Sequence, residues 1–141
     1  MFLLNQWKNS YEVVNWFKTI TNKANKEFVK FDIVSFYPSI KFDNLEKALA
    51  FASKFINISS NEVKIIMHTC MSILSDTDGS NWIKVINEFF YVAMDGYMGA
   101  EICDLIALFI LNNLRNILIV NSYGIYWDRG LAILENKSNC E

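Results

Sequence analysis

Two carboxylates stand in strand-like surroundings and could work as a pair. Asp32 lies in "FDIVSFYPSI" (31–40), and its neighbours Phe31, Ile33, Val34 and Phe36 predict a mostly buried strand, in which an unpaired charge is expensive. Asp128 follows Tyr126 and Trp127 in "IYWDRGLAIL" (125–134), which reads as two short strands joined by a tight bend around Asp128, Arg129 and Gly130. Two such carboxylates, forced together, repel unless they share a proton or a cation. Hard Mg²⁺ takes oxygen ligands of this kind along with substrate phosphates, and two-metal phosphoryl transfer uses that arrangement. With 13 basic and 15 acidic residues the net charge is −2, so no large electropositive surface advertises nucleic acid. An enzyme whose metal-binding acids lie in its acidic part remains compatible with that balance.

The elements that must position these acids follow from the pattern around them. Ser10 is the candidate N-cap of a helix over about 10–20, with Val13, Val14, Trp16, Phe17 and Ile20 on one face. Residues 28–37 read as a strand ended by Pro38. Asp43 is the expected cap of a second helix in which Leu45, Leu49, Ala52 and Ile56 recur, and Ser59 or Ser60 caps a third. After the turn-rich "SDTDGSN", short aromatic segments around "WIKV" and "EFFYVAM" predict a hairpin. "GAEICDLIALFILNNLRNILIV" (99–120) predicts the longest helix, with Ile102, Ile106, Phe109, Ile110 and Leu114 along one stripe. Its acids Glu101 and Asp104 fall in the first turn, as the helix dipole favours. "NSYG" (121–124) reads as a turn leading into the final pair of strands.

This order is α+β, and 141 residues with 52% hydrophobic content suffice for one domain with a buried core. The longest apolar run, "LIALFIL" (105–111), is far shorter than the roughly 20 residues a membrane-crossing helix needs. The start, "MFLLNQWKNS", lacks a basic n-region and a small-residue cleavage site, so an intracellular, non-secreted protein is expected. Cys70, Cys103 and Cys140 are odd in number and lack CxxC spacing, which points to reduced thiols rather than a zinc site. His68 reads as a packing or surface residue and Cys103 as core.

At the two acids the sequence resembles the palm of a reverse transcriptase, an RNA-directed DNA polymerase, of the kind found in mobile elements. Motif A of that family is a strand aspartate with an aromatic gate five positions later, matched by Asp32 and Tyr37. Motif B is a glycine-containing loop leading into a long helix, which "MDGYMGAEICDLIALFILNNL" resembles through Gly96 and Gly99. Motif C is a β-hairpin carrying Tyr-x-Asp-Asp, and "GIYWDRGLAIL" resembles the form in which Tyr-Arg-Asp-Asp-Gly-Leu-Ala follows an apolar residue. Tyr126, Asp128, Gly130, Leu131 and Ala132 fit it, Trp127 fills its variable position, and Arg129 departs from it. An acid is also expected where Tyr91 and Met98 stand. "DIVSFYPSI" looks like motif A of family B DNA polymerases too, but their motif C has two aspartates separated by one residue, which "YWDRG" fits less well.

The resemblance spans about residues 5–134 and implies a polymerase palm-like antiparallel sheet packed against helices, with truncated fingers and no thumb. It divides the chain into an N-terminal helical segment (1–27), a palm (28–135) and a tail (136–141). By resemblance, Asp32 and Asp128 hold Mg²⁺ or Mn²⁺ with the Ile33 carbonyl, Tyr37 excludes a 2′-hydroxyl, and Gly96 and Gly99 let backbone approach the nucleotide. The implied partners are primer–template nucleic acid and deoxynucleotides, with no membrane. The implied reaction is nucleotidyl transfer to a primer 3′-hydroxyl. Arg129 implies a degenerate motif C, so a polymerase fragment that is inactive or only weakly active alone is expected; the alternative is a catalytically dead remnant that at most binds nucleic acid or protein. The arginine either turns outward or pairs with Asp128 in the place of a metal.

Overall fold

The computed structural model describes residues 4–70, 74–82, 92, 96–115 and 123–135. They fall into two compact units, one built from residues 1–33 with 107–141 and the other from 34–106.

The first unit is organised around a three-stranded antiparallel sheet in the order β1-β5-β4, from β1 (Lys26–Asp32), β4 (Tyr123–Tyr126) and β5 (Arg129–Glu135). The predicted final hairpin is present, but its first strand already includes Tyr123 and Gly124, so "NSYG" is not simply a turn. The reason is a second set of partners for β4: Trp7 N–H donates to the Ile125 carbonyl (2.8 Å) and Ile125 N–H to the Asn5 carbonyl (2.9 Å). The buried Trp7 indole lies against Gly124, where any Cβ would collide with it. Trp7 in turn packs on Trp16 of α1 (Ser10–Thr19), at 4.9 Å between ring centroids, and Phe17 packs on Phe28 of β1 at 5.3 Å. The α1 cap is Asn9 rather than Ser10, because the Asn9 side chain accepts the Glu12 N–H at 3.0 Å. Of the five predicted face residues Val13, Trp16 and Ile20 are half-buried, while Val14 and Phe17 are exposed.

β1 ends at Asp32, five residues short of the predicted end. Ser35 adopts a left-handed conformation (φ 52°), and Phe36–Ser39 form a single helical turn, α2. Pro38 is tolerated there because backbone N–H groups in the first turn of a helix have no intrahelical acceptor to lose. The expectation of a buried strand is also corrected: none of the residues of β1 is buried, and among the described strands β1 lies at the edge of its sheet.

In the second unit, α3 (Phe42–Ala52) buries Leu45, Ala48 and Leu49. It starts after Lys41. Asp43 therefore lies inside the first turn and pairs with Lys47 at 3.2 Å instead of capping. The helix stops at Ala52, which leaves Ile56 exposed. Helix α4 (Ser60–Thr69) opens on a capping box in which Ser59 Oγ accepts the Glu62 N–H (3.3 Å) and the Glu62 carboxylate accepts the Ser59 N–H (2.7 Å). A short hairpin of β2 (Leu74–Ser75) and β3 (Asn81–Trp82) encloses the turn-rich segment. Apart from Trp82 and the buried Val92, the predicted "WIKV" and "EFFYVAM" strands lie outside the described residues.

The ionised Glu62 carboxylate is held below the ordinary glutamate value of 4.5 by its hydrogen bonds to Ser59. A depressed value means the contribution is complete above the ordinary range and disappears as pH falls through the folded-state value. Thermal melts should therefore show wild type ahead of Glu62→Gln near neutral pH and level with it in acid. A difference that persists below about pH 3 would show that the carboxylate charge is not what fastens this helix end.

Helix α5 (Gly99–Leu114) runs from the second unit into the first. Its buried side chains include Ile102, Cys103, Ile106, Ala107 and Leu111, whereas Phe109, Ile110 and Leu114 of the predicted stripe are half-buried. Positions 116–120 of that predicted helix lie outside the described residues. Within the sheet unit, the buried Tyr123 hydroxyl donates to the Leu111 carbonyl at 2.9 Å. Leu111 O also accepts the Arg115 N–H at 3.1 Å, so Tyr123→Phe leaves no orphaned acceptor. The expected loss is about 0.5–1.5 kcal/mol, read as a lower denaturation midpoint at unchanged slope. No change in midpoint would show that this bond contributes nothing net.

Candidate functional site

The β1–β5 ladder sets the register at its open end. Asp32 is the cross-strand partner of Arg129, and Phe31 that of Gly130. One step further, Ile33 N–H donates to the Asp128 carbonyl at 2.7 Å, so the backbone pairing continues into the β4–β5 turn. Directly opposed residues on an antiparallel pair share a face, with Cβ atoms roughly 4.5–5.5 Å apart. Arg129 therefore emerges beside Asp32 by register alone. Strict alternation would send Asp128 to the other face, but Trp127 and Asp128 form the two-residue turn that joins Tyr126 to Arg129, and there the ladder no longer dictates direction.

The result is a triad. Arg129 Nε lies 3.7 Å from Asp32 Oδ1 and 4.0 Å from Asp128 Oδ1. The arginine does not turn away; one guanidinium serves both acids. The side chains are open to solvent, 54% for Asp32, 43% for Asp128 and 68% for Arg129, so Asp32 is not the desolvated strand acid its neighbours suggested. Ion pairs this exposed contribute about 0–1 kcal/mol each, and the triad matters for local charge rather than for holding the fold.

The hairpin tip has its own backbone constraint. Trp127 takes φ 56°, which the first residue of a two-residue hairpin loop requires and which glycine or asparagine usually supplies. Its ring is 55% exposed and lies 6.0 Å from that of Tyr126. Gly130 is buried beneath the Phe31 ring, which occupies the space a Cβ would take. Space rather than dihedral freedom demands glycine there, since Gly79 is the positive-φ glycine among the described residues.

The other predicted site residues belong to the second unit. Tyr37 sits half-buried in α2, with its ring 6.2 Å from Phe36, and it hydrogen-bonds the Cys103 thiol. Cys103 is buried one turn into α5, and that burial first, with the Asp104 charge second, pushes its thiol up to about 12; the Tyr37 bond works in the opposite direction. Gly99 is buried at the start of α5, and its N–H donates to the Gly96 carbonyl at 2.9 Å. Thus Tyr37 of the first motif and the helix following Gly96 and Gly99 meet through Cys103. The sequence marked Cys103 as core but gave no sign of that hydroxyl partner. Met98, at a position where an acid was expected, is contacted through its sulfur by the Thr69 hydroxyl at 3.5 Å.

A pair of hard divalent cations needs several oxygen donors and a net negative cradle. Two carboxylates with a guanidinium within reach of both do not make that set. Among the described residues no group of three or more His, Cys, Asp or Glu side chains could hold a metal ion, and no helix is long and apolar enough to cross a membrane.

The class defined by these elements is an α+β fold with a small antiparallel sheet, its edge strand and terminal hairpin bringing two aspartates and an arginine together. A solved structure of apo telomerase from Candida tropicalis, truncated from its C-terminal domain, is similar to it, with a TM-score of 0.66 and 15% identity over 94% of this chain. The chain spans 30% of the length of that telomerase chain, and at this identity the likeness is one of fold. No family model matches the sequence, and no curated protein matches it.

Proposed function

We propose that this chain is the palm of an RNA-directed DNA polymerase of the mobile-element type, degenerate at motif C, and that in its present form it binds nucleic acid without extending a primer. The carrying observation is the register that sets Asp32 opposite Arg129 and passes the Ile33 N–H to Asp128, so that the two acids converge at one end of the sheet. The likeness of fold to telomerase, itself a reverse transcriptase, supports the reading. In it Asp32 and Asp128 are the surviving acids of a Mg²⁺ or Mn²⁺ site that the Ile33 carbonyl would complete. Tyr37 keeps the place of the sugar gate, Gly96 and Gly99 that of the backbone approach to a deoxynucleotide, and Tyr126 to Gly130 that of motif C. Arg129 is the observation that favours a binding remnant over a working enzyme.

The test replaces the palm of a complete reverse transcriptase with this one, as it stands and as Arg129→Asp, and compares Mg²⁺-dependent primer extension. Extension by the aspartate form alone supports the reading. Extension by neither, from folded chimaeras that still bind primer–template, removes the polymerase assignment.

A further inference from the structure

We infer that Arg129 is the resident cation of the two-aspartate site, so that the wild-type chain takes up no divalent ion between Asp32 and Asp128, and that position 129 decides whether these acids can hold a divalent cation. The inference rests on the palm reading only for what the site once was; the geometry stands apart from it. Cross-strand pairing fixes Arg129 beside Asp32 and not merely near it. Its Nε then reaches one oxygen of each acid, at 3.7 and 4.0 Å, the position from which a bridging ion would also have to draw its ligands. An ion entering there meets a positive charge at contact range and must compete with it for the same carboxylate oxygens.

The same register makes the reverse change informative. An acid at position 129 would project on the face of Asp32, with Asp128 held at the turn by its backbone contact to Ile33, giving three carboxylates where there are now two and a guanidinium. A neutral residue would remove the competitor without adding a donor. Mn²⁺ affinity should therefore rise in the order wild type, Arg129→Ala, Arg129→Asp. The broad exposure of the triad leaves room for bound water to complete an octahedral shell.

The experiment is Mn²⁺ titration of the whole chain, followed by the electron paramagnetic resonance signal of the free ion. Wild type should show no saturable binding at millimolar Mn²⁺. Arg129→Asp should bind at least about ten times more tightly than wild type, and Asp32→Asn added to it should abolish the gain. Circular dichroism melts identify any variant that fails to fold, and Arg129→Ala then carries the comparison with its own smaller gain. Tight binding by wild type that Asp32→Asn removes would overturn the inference and leave the palm reading intact. A folded Arg129→Asp with no gain would overturn it as well. Gain of Mn²⁺ binding by Arg129→Asp, combined with failure of the chimaeric palm to extend primers, would uphold the inference and count against the polymerase reading.

Discussion

In a chimaeric polymerase, the Arg129→Asp palm is expected to extend primers at least about 100-fold faster than the palm as it stands. The change moves position 129 from +1 to −1 beside two acids whose oxygens lie 3.7 and 4.0 Å from the present guanidinium. At an effective dielectric near 20, one unit interaction at 4 Å is of order 4 kcal/mol, and two units are exchanged. The exposure of all three side chains screens most of this; two pairs of up to about 1 kcal/mol each, turned from attraction to repulsion, leave an expected effect of about 2.7 kcal/mol, or two decades. Equal rates for the two palms would mean that the guanidinium swings clear when metal and nucleotide arrive, and the site would then count as competent. The structure gives a reason to expect otherwise: ladder pairing sets the Arg129 backbone directly opposite Asp32, so the guanidinium stays within reach of both carboxylates and competes for them even if it exchanges rotamers.

The second large effect is on the scaffold of the same site. Gly130→Ala should destabilise the chain by about 1–3 kcal/mol, because the added methyl enters space held by the Phe31 ring and overpacked sites relax only by displacing their neighbours. Glycine is otherwise a poor strand residue, and here the cross-strand ring covers the backbone it leaves open. The identity of the cause can be checked by a double-mutant cycle. In a Phe31→Ala background the cost of Gly130→Ala should fall by more than half, since the collision is gone. An undiminished cost would place the penalty in the backbone of β5 and not in the ring. Because Phe31 immediately precedes Asp32, the single mutant should also disturb the triad, and the two positions should couple in any Mn²⁺ measurement made on an Arg129→Asp background.

Most of what could be recognised at the level of elements was local. Ser59 and Glu62 at capping-box spacing announce the start of α4, the apolar stripe after Gly99 announces α5, and the two β-prone runs around "WDR" announce a hairpin. In each case a few neighbouring residues decide the outcome by hydrogen bonds and periodicity within one element. Element boundaries differ from the local pattern where a competing local choice wins. Ser35 in the left-handed region turns the chain, so the apolar run after Asp32 becomes a helical turn and Pro38 sits inside it rather than ending a strand. Asp43 pairs with Lys47 across one helical turn in preference to capping.

The sequence by itself determined which side chains carry charge near the ends of β1 and β5, and that position 129 holds a cation where a third acid was expected. It could not determine how far apart they lie or how wet they are. The apolar neighbours of Asp32 point to burial, but a strand's neighbours alternate faces, and among the described residues β1 is paired on one side only. The convergence of Asp32, Asp128 and Arg129 depends on a β1–β5 register between residues 97 positions apart (129 minus 32), in which a slip of one residue would send Arg129 to the opposite face. The Tyr37–Cys103 bond and the Trp7 cover on Gly124 are likewise products of long-range packing. Pairing energies of that kind are summed over the assembled sheet and core, so no short window of sequence contains them, and only the tertiary structure decides them.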